Sequence, residues 1–248
     1  MKAKKHFGQH FLRDQCVIDR IMLEIGRSCS MDMPLLEIGP GQGALSVSLA
    51  RHYPEFVALE IDRDMMAVLS PLLPEGSLMF EDFLKADLPS LFEGRPFNLV
   101  GNFPYNISSQ IIFKMIEHVD RIPQMVGMFQ KELAERVCSG PGTKANGVIS
   151  ILSQAYYETE ILFTIGPQSF DPPPKVESAV ISLRRKEASG PECDYKLFRR
   201  VVKQAFQQRR KKMRNTLKSF NIDTENPIFQ KRPEELGVAD FVNIVNGL

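Results

Sequence analysis

Short apolar segments alternate with longer helical stretches through most of the first 130 residues, and this rhythm restricts the fold more than any other feature. Residues 35–38, 56–62, 77–80, 97–100 and 124–130 read as strands, and 44–52, 63–73 and 108–118 as helices. An amphipathic helix over 14–26 precedes them, with Asp14 as N-cap and Val17, Ile18, Ile21, Met22 and Ile25 on one face. Strands separated by helices of this length imply βαβ units, hence an α/β fold with a mostly parallel, doubly wound sheet. Ligands of such sheets gather outside the C-terminal strand ends, where the winding reverses. Residues 148–157 read as a further helix, and 161–165 and 179–183 as two more strands. The link between those strands is too short for a crossover helix, so they are expected as antiparallel neighbours.

The chain has 248 residues, 43% of them hydrophobic and 25% charged, as in an ordinary soluble domain with a small appendage. No run of 18 apolar residues is present, so no transmembrane helix is expected. The basic N-terminus lacks an apolar segment behind it, which argues against a secretory signal. Cys16, Cys29, Cys138 and Cys193 stand 13, 109 and 55 residues apart, neither a disulfide framework nor a zinc spacing, and fit a reducing cytosol. His6, His10, His52 and His118 make no metal-ligand spacing either. The net charge of +1 conceals an asymmetry. Residues 195–222 carry ten Lys or Arg and no acid, which leaves −9 on the rest of the chain. Such a cluster on an acidic body points to a polyanion partner, the alternative being a solvated helix face. Linker-like residues 188–194 place a domain boundary near Gly190, dividing a domain over 1–189 from a helical basic one over 190–248.

The chemistry-bearing residues follow strands. Glu37-Ile38-Gly39-Pro40-Gly41-Gln42-Gly43 forms a strand-to-helix turn in which glycine lets a ligand approach the backbone. Glu60, 21 residues after Gly39, stands where an acid can hydrogen-bond both hydroxyls of a ribose. A nucleoside-containing cofactor is implied. The Gly-x-Gly-x-Gly spacing departs from the dinucleotide pattern, and Glu37 would repel a pyrophosphate but suit the ammonium of a methionine moiety. Asp82, next to Phe83, stands where a carboxylate can accept from an exocyclic adenine amine, although a lone Asp there reads better as a helix N-cap or turn former. Asn102-Phe103-Pro104-Tyr105 is the sharpest signal. An adenine amino nitrogen is a poor nucleophile because its lone pair is delocalised into the ring. Two acceptors on its N–H groups, the Asn102 oxygen and a backbone carbonyl of Phe103 or Pro104, would orient it. Pro104 stiffens the loop, and Tyr105 offers a face on which an unstacked base can lie. Catalysis would come from alignment and electrostatics. Phe170, ahead of three prolines, is a candidate second wall for the base, or else a core residue beneath a rigid loop.

Phe7-Gly8-Gln9-His10-Phe11-Leu12, Glu37-Ile38-Gly39-Pro40-Gly41, Asn102-Phe103-Pro104-Tyr105-Asn106-Ile107-Ser108 and Phe170-Asp171-Pro172-Pro173-Pro174-Lys175-Val176 occur in this order. Together they resemble the small-subunit ribosomal RNA adenine dimethyltransferase family. The resemblance implies a Rossmann-like methyltransferase with a seven-stranded sheet, S-adenosylmethionine as donor, and dimethylation of two adjacent adenosines in a hairpin loop near the 3′ end of small-subunit rRNA. By the same resemblance His10 and Leu12 border the cofactor, Gly39 meets its methionine part, Glu60 its ribose and Asp82 its adenine. Asn102 then serves cofactor and target amine, while Tyr105 and Phe170 flank the target base. Arg209, Arg210, Lys211, Lys212 and Arg214 would bind rRNA phosphates without reading sequence. The family often has Asn at the place of His10 and Leu at that of Phe103; the second departure is expected to narrow the pocket. A cytoplasmic monomer acting on the immature small subunit, with no metal and no membrane, is the resulting expectation. The alternatives are a large-subunit rRNA adenine methyltransferase, a non-catalytic assembly factor and, least supported by the glycine spacing, a dehydrogenase.

Overall fold

The computed structural model describes Lys4 and residues 8–187, 190–220 and 222–248. Phe7 of the first motif and linker residues Ala188 and Ser189 lie outside the described residues. In chain order the elements are β1 (Phe11–Leu12), α1 (Gln15–Ser28), β2 (Leu35–Ile38), α2 (Ser46–His52), β3 (Phe56–Glu60), α3 (Arg63–Leu69), β4 (Leu78–Phe80), β5 (Asn98–Asn102), α4 (Ser108–Glu117) and β6 (Gln124–Gln130). Then come α5 (Lys131–Cys138), α6 (Val148–Tyr156), β7 (Tyr157–Ile165), β8 (Phe170–Asp171), β9 (Ser178–Arg185), α7 (Tyr195–Phe206), α8 (Met213–Thr216) and α9 (Val238–Asn246).

The chain forms two compact units. One runs to residue 134 and resumes over 160–185; the other takes 135–159 and 186–248. The last change of unit, after Arg185, lies near the boundary read at Gly190. The grouping of 135–159 with the C-terminal part has no counterpart in a linear division at 189/190.

The seven-stranded sheet has the order β4-β3-β2-β5-β6-β9-β7. The pairs β3/β4, β2/β3, β2/β5 and β5/β6 are parallel, and β9 joins β6 antiparallel. The two late strands are neighbours, as the short link between them requires. All four residues of β2 are buried, as expected of a strand covered on both faces. Helix α1 begins where the Asp14 carboxylate accepts the Cys16 and Val17 amides, and it buries Ile18, Ile21 and Ile25. From β2 the chain winds one way through β3 and β4, then returns to the other side through β5 and β6. The reversal at β2 and β5 opens a crevice above their C-terminal ends. The glycine turn and the Asn102–Tyr105 loop leave the sheet there. A separate antiparallel pair, β1 with β8, sets Phe11 opposite Asp171 and Leu12 opposite Phe170.

Within the second unit, α7 is capped by Asp194, which accepts the Leu197 amide at 2.6 Å, and buries Phe198, Val201, Val202 and Ala205. Its Phe206 ring meets Phe241 of α9 at 6.0 Å. Buried Asn146 donates to the carbonyls of Glu234 and Leu236 at 3.0 and 2.9 Å. The basic run 209–212 lies in turns between α7 and α8, not on a helix face, and its four side chains are exposed.

Candidate active site

An open cleft of about 1080 Å³, counted out to its mouth, lies above β2 and β5. Its walls come from residues 8–12, the glycine turn, the ends of β3 and β4 and the loop after β5. Gly39, Gly41 and Gly43 have φ of +64°, +57° and +83°, conformations that side-chain-bearing residues avoid. A Cβ at Gly41 would also stand 3.3 Å from the Phe11 ring. This glycine is required twice over, by its backbone angle and by the N-terminal segment laid across it.

Four carboxylate residues line the cleft: Glu37, Glu60, Glu81 and Asp82. Glu37 is 2% exposed, and its Oε2 has no hydrogen-bond partner among the described residues. Burial pushes its carboxyl up to about 8, the nearby Ser46 hydroxyl opposing the rise and the charge of Glu60 adding to it. A buried acceptor without a donor is costly, so a cationic ligand group would relieve this one. Glu60 Oε1 accepts the Ile61 and Asp62 amides at 2.9 Å each, and Oε2 accepts the Gly41 amide at 3.1 Å. Burial raises its pKa while these donors oppose the rise. The carboxylate thus joins the glycine turn to the end of β3 while still bordering the cleft. Asp82 also acts as the turn former that its local sequence allows, its Oδ1 accepting the Leu84 amide at 2.9 Å. Under its loop Lys114 donates to the carbonyls of Phe83 and Ala86 at 2.7 and 2.6 Å. Phe83 is 2% exposed and lines the cleft.

The loop after β5 supplies the remaining wall. Asn102 Nδ2 donates to the His10 carbonyl at 3.0 Å. A carbonyl accepts only, so the nitrogen is fixed there and Oδ1 is turned away from it. The Pro104 carbonyl is taken by Ser108 Oγ at 2.8 Å and the Ile107 amide at 3.2 Å. That occupancy leaves the Phe103 carbonyl as the better-placed second acceptor. Tyr105 is hydrogen-bonded through its hydroxyl to Ser178 Oγ at 2.6 Å, and burial raises its pKa. His10 and Leu12 both border the cleft.

Two expectations are corrected. Phe170 is not among the cleft residues; it is 4% exposed, belongs to the core cluster and pairs across β1/β8 with Leu12. Burial of a large apolar ring outweighs its display beside a stiff segment. Phe103 does not narrow the cleft with its ring. The ring turns down against Phe129 at 4.9 Å, into space left by Gly101 and Gly127. Arg209, Arg210, Lys211, Lys212 and Arg214 belong to the second unit and are exposed, with Arg209 3.7 Å from Glu234.

Sequence reasoning missed Ser178, Lys114 and an acid latch. Asp62 accepts from Lys4 Nζ at 2.6 Å and from Gln9 Nε2 at 2.9 Å, and Lys4 reaches Asp64 at 2.6 Å as well. The latch holds Lys4 and Gln9 against the acids that follow Glu60. Asp62, two positions beyond a candidate ribose ligand, was a detectable signal; the others are contacts between segments far apart in sequence. Among the described residues no His, Cys, Asp and Glu cluster could hold a metal ion, and no helix is long and apolar enough to cross a membrane.

Comparison with known proteins agrees with this geometry. A family model described as ribosomal RNA adenine dimethylase matches residues 1–246. Ribosomal RNA small subunit methyltransferase A of Phocaeicola vulgatus is 46% identical over 253 residues, covering 99% of this chain and 89% of the relative. The protein of that name from Flavobacterium johnsoniae is 46% identical over 247 residues, covering 98% and 94%. A crystal structure of a dimethyladenosine transferase from Plasmodium falciparum superimposes with a TM-score of 0.80 at 25% identity, over 96% of this chain and 97% of that one. The 23S rRNA methyltransferase ErmE shares the fold, with a TM-score of 0.68 at 24% identity over 95% and 99% of the two chains. With residues 1–246 matched by the family model and relatives 46% identical over nearly the full chain, this chain belongs to the ribosomal RNA adenine dimethylase family.

Proposed function

We propose that this protein transfers methyl groups from S-adenosylmethionine to the N6 amines of two adjacent adenosines in a hairpin loop near the 3′ end of small-subunit rRNA. It acts on the immature small subunit, in the cytoplasm, as a monomer. The observation that carries the reading is the fixed Asn102 carboxamide, whose nitrogen is held by the His10 carbonyl so that its oxygen is available to a target amine. With the Phe103 carbonyl as second acceptor, both N–H groups of that amine are engaged and its lone pair is aimed at the donor. This is catalysis by alignment and a prearranged polar site.

The cleft fits the cofactor. The unpartnered Glu37 Oε2 suits the ammonium of its methionine part, and the positive-φ glycines admit it close to the backbone. Glu60 would meet the ribose, and Asp82 and Phe83 the adenine; all three line the cleft. Bound there, S-adenosylmethionine supplies an electrophilic methyl on a sulfonium. Tyr105 would present its ring to the unstacked base, its hydroxyl anchored by Ser178. The exposed basic turn of the second unit would bind rRNA phosphates.

The test is nucleoside mass spectrometry of both rRNAs after incubating purified small and large subunits with enzyme and labelled donor. Dimethyladenosine confined to small-subunit rRNA supports the proposal. Label in large-subunit rRNA alone, or in neither, refutes it.

A further inference from the structure

We infer that His10 is a positioning residue for the target adenosine, tying the Asn102–Tyr105 loop to the proline-rich segment after β8. The inference deepens the proposed methyl transfer and rests on it. Three interactions converge on this residue. Its Nδ1 lies 2.8 Å from the Pro172 carbonyl. That oxygen only accepts, so Nδ1 carries the hydrogen and donates. Its ring stacks on Tyr105, with centroids 5.5 Å apart and planes 29° from parallel. Its backbone carbonyl receives Asn102 Nδ2 at 3.0 Å.

A residue that merely bordered the cofactor would need none of these bonds. Tyr105 is gripped at both ends, by Ser178 at its hydroxyl and by His10 on its ring. Phe170 is sunk in the core, so the segment after β8 reaches the loop through Pro172 and His10. The two jobs of the imidazole are chemically separable. Asn places an N–H donor at nearly the position of Nδ1 but has no ring. Phe keeps the ring and has no donor. Of these three residues, histidine alone supplies both.

The wild-type protein and the variants H10A, H10N and H10F test this through three readouts. These are calorimetric affinity for S-adenosylmethionine, kcat and KM with purified small subunits, and ring signals of the protein labelled with carbon-13 tyrosine. The Tyr105 signal is assigned with Y105F. H10A is expected to lower kcat at least tenfold, with cofactor affinity within twofold of wild type. H10N and H10F should each recover part of the loss. The Tyr105 signal should move in H10A and H10N and stay in H10F. Loss of cofactor affinity that accounts for the lower turnover would overturn the inference and make His10 a cofactor ligand. Unchanged kcat in H10A would overturn it as well. If the wild type methylates no subunit, the proposed function fails by itself. The ring signal then still decides the tie: a Tyr105 signal that moves in H10A supports it, and one that does not overturns it.

Discussion

Glu37 is the residue at which the site's chemistry is most exposed to measurement. Its folded pKa of about 8 lies above the ordinary 4.5, because burial penalises its charge. Its contribution to stability is therefore present in full below about 4.5 and is lost as pH rises through about 8. The ligand-free protein should lose thermal stability across that interval, and Glu37→Gln should flatten the trend. An ammonium seated on Oε2 favours the ionised form, so cofactor binding near pH 7 should release up to one proton. Calorimetry in two buffers of different ionisation heat reads this directly. A binding enthalpy independent of the buffer would rule out the ammonium at Oε2. That Glu37 is unsuited to a phosphate was legible from charge alone, since like charges repel. The bonds from His10 to Pro172 and from Asn102 to His10 were not. They join residues 162 and 92 positions apart, and no local pattern records such a pairing.

The packing of β5 and β6 explains how the Phe103 ring is accommodated beneath the loop after β5. Gly101 pairs in register with Gly127, and the Phe103 ring fills the hollow beside them. A Cβ at Gly127 would lie 2.1 Å from that ring. Gly127→Ala should therefore destabilise the protein by about 1–3 kcal/mol, the usual cost of overpacking. Adding Phe103→Leu should recover part of the loss, since touching sites couple. Denaturant midpoints of the two single variants and the double variant check this; strict additivity would place the ring elsewhere. The strands and helices of the parallel sheet were readable because buried runs and helical periodicity recur at regular spacing. The two-residue strands β1 and β8 were not, being too short to carry a period. Phe170 was ambiguous for a related reason: an aromatic before prolines reads alike as a wall or as core, and only the pairing with Leu12 decides.

Across the whole molecule, the near-neutral net charge hides an exposed basic turn, proposed above to bind rRNA phosphates. The triple variant R209E/R210E/K211E alters exposed side chains, so its thermal midpoint should stay close to wild type. Its affinity for small-subunit rRNA should fall, and the salt dependence should flatten by about 2 or more in log–log slope, near one for each phosphate no longer neutralised. An unchanged slope would dissociate the turn from RNA. The charge cluster was plain in the sequence; its place in a turn was not, because Arg and Lys suit helix and turn alike. The central claim remains that a fixed carboxamide aligns an adenosine amine for methyl transfer. Single-turnover methylation of small subunits by Asn102→Ala, with saturating S-adenosylmethionine and a folded variant verified by its thermal midpoint, tests it most directly. The rate should fall by about 100-fold or more, and a rate near that of wild type would contradict the account.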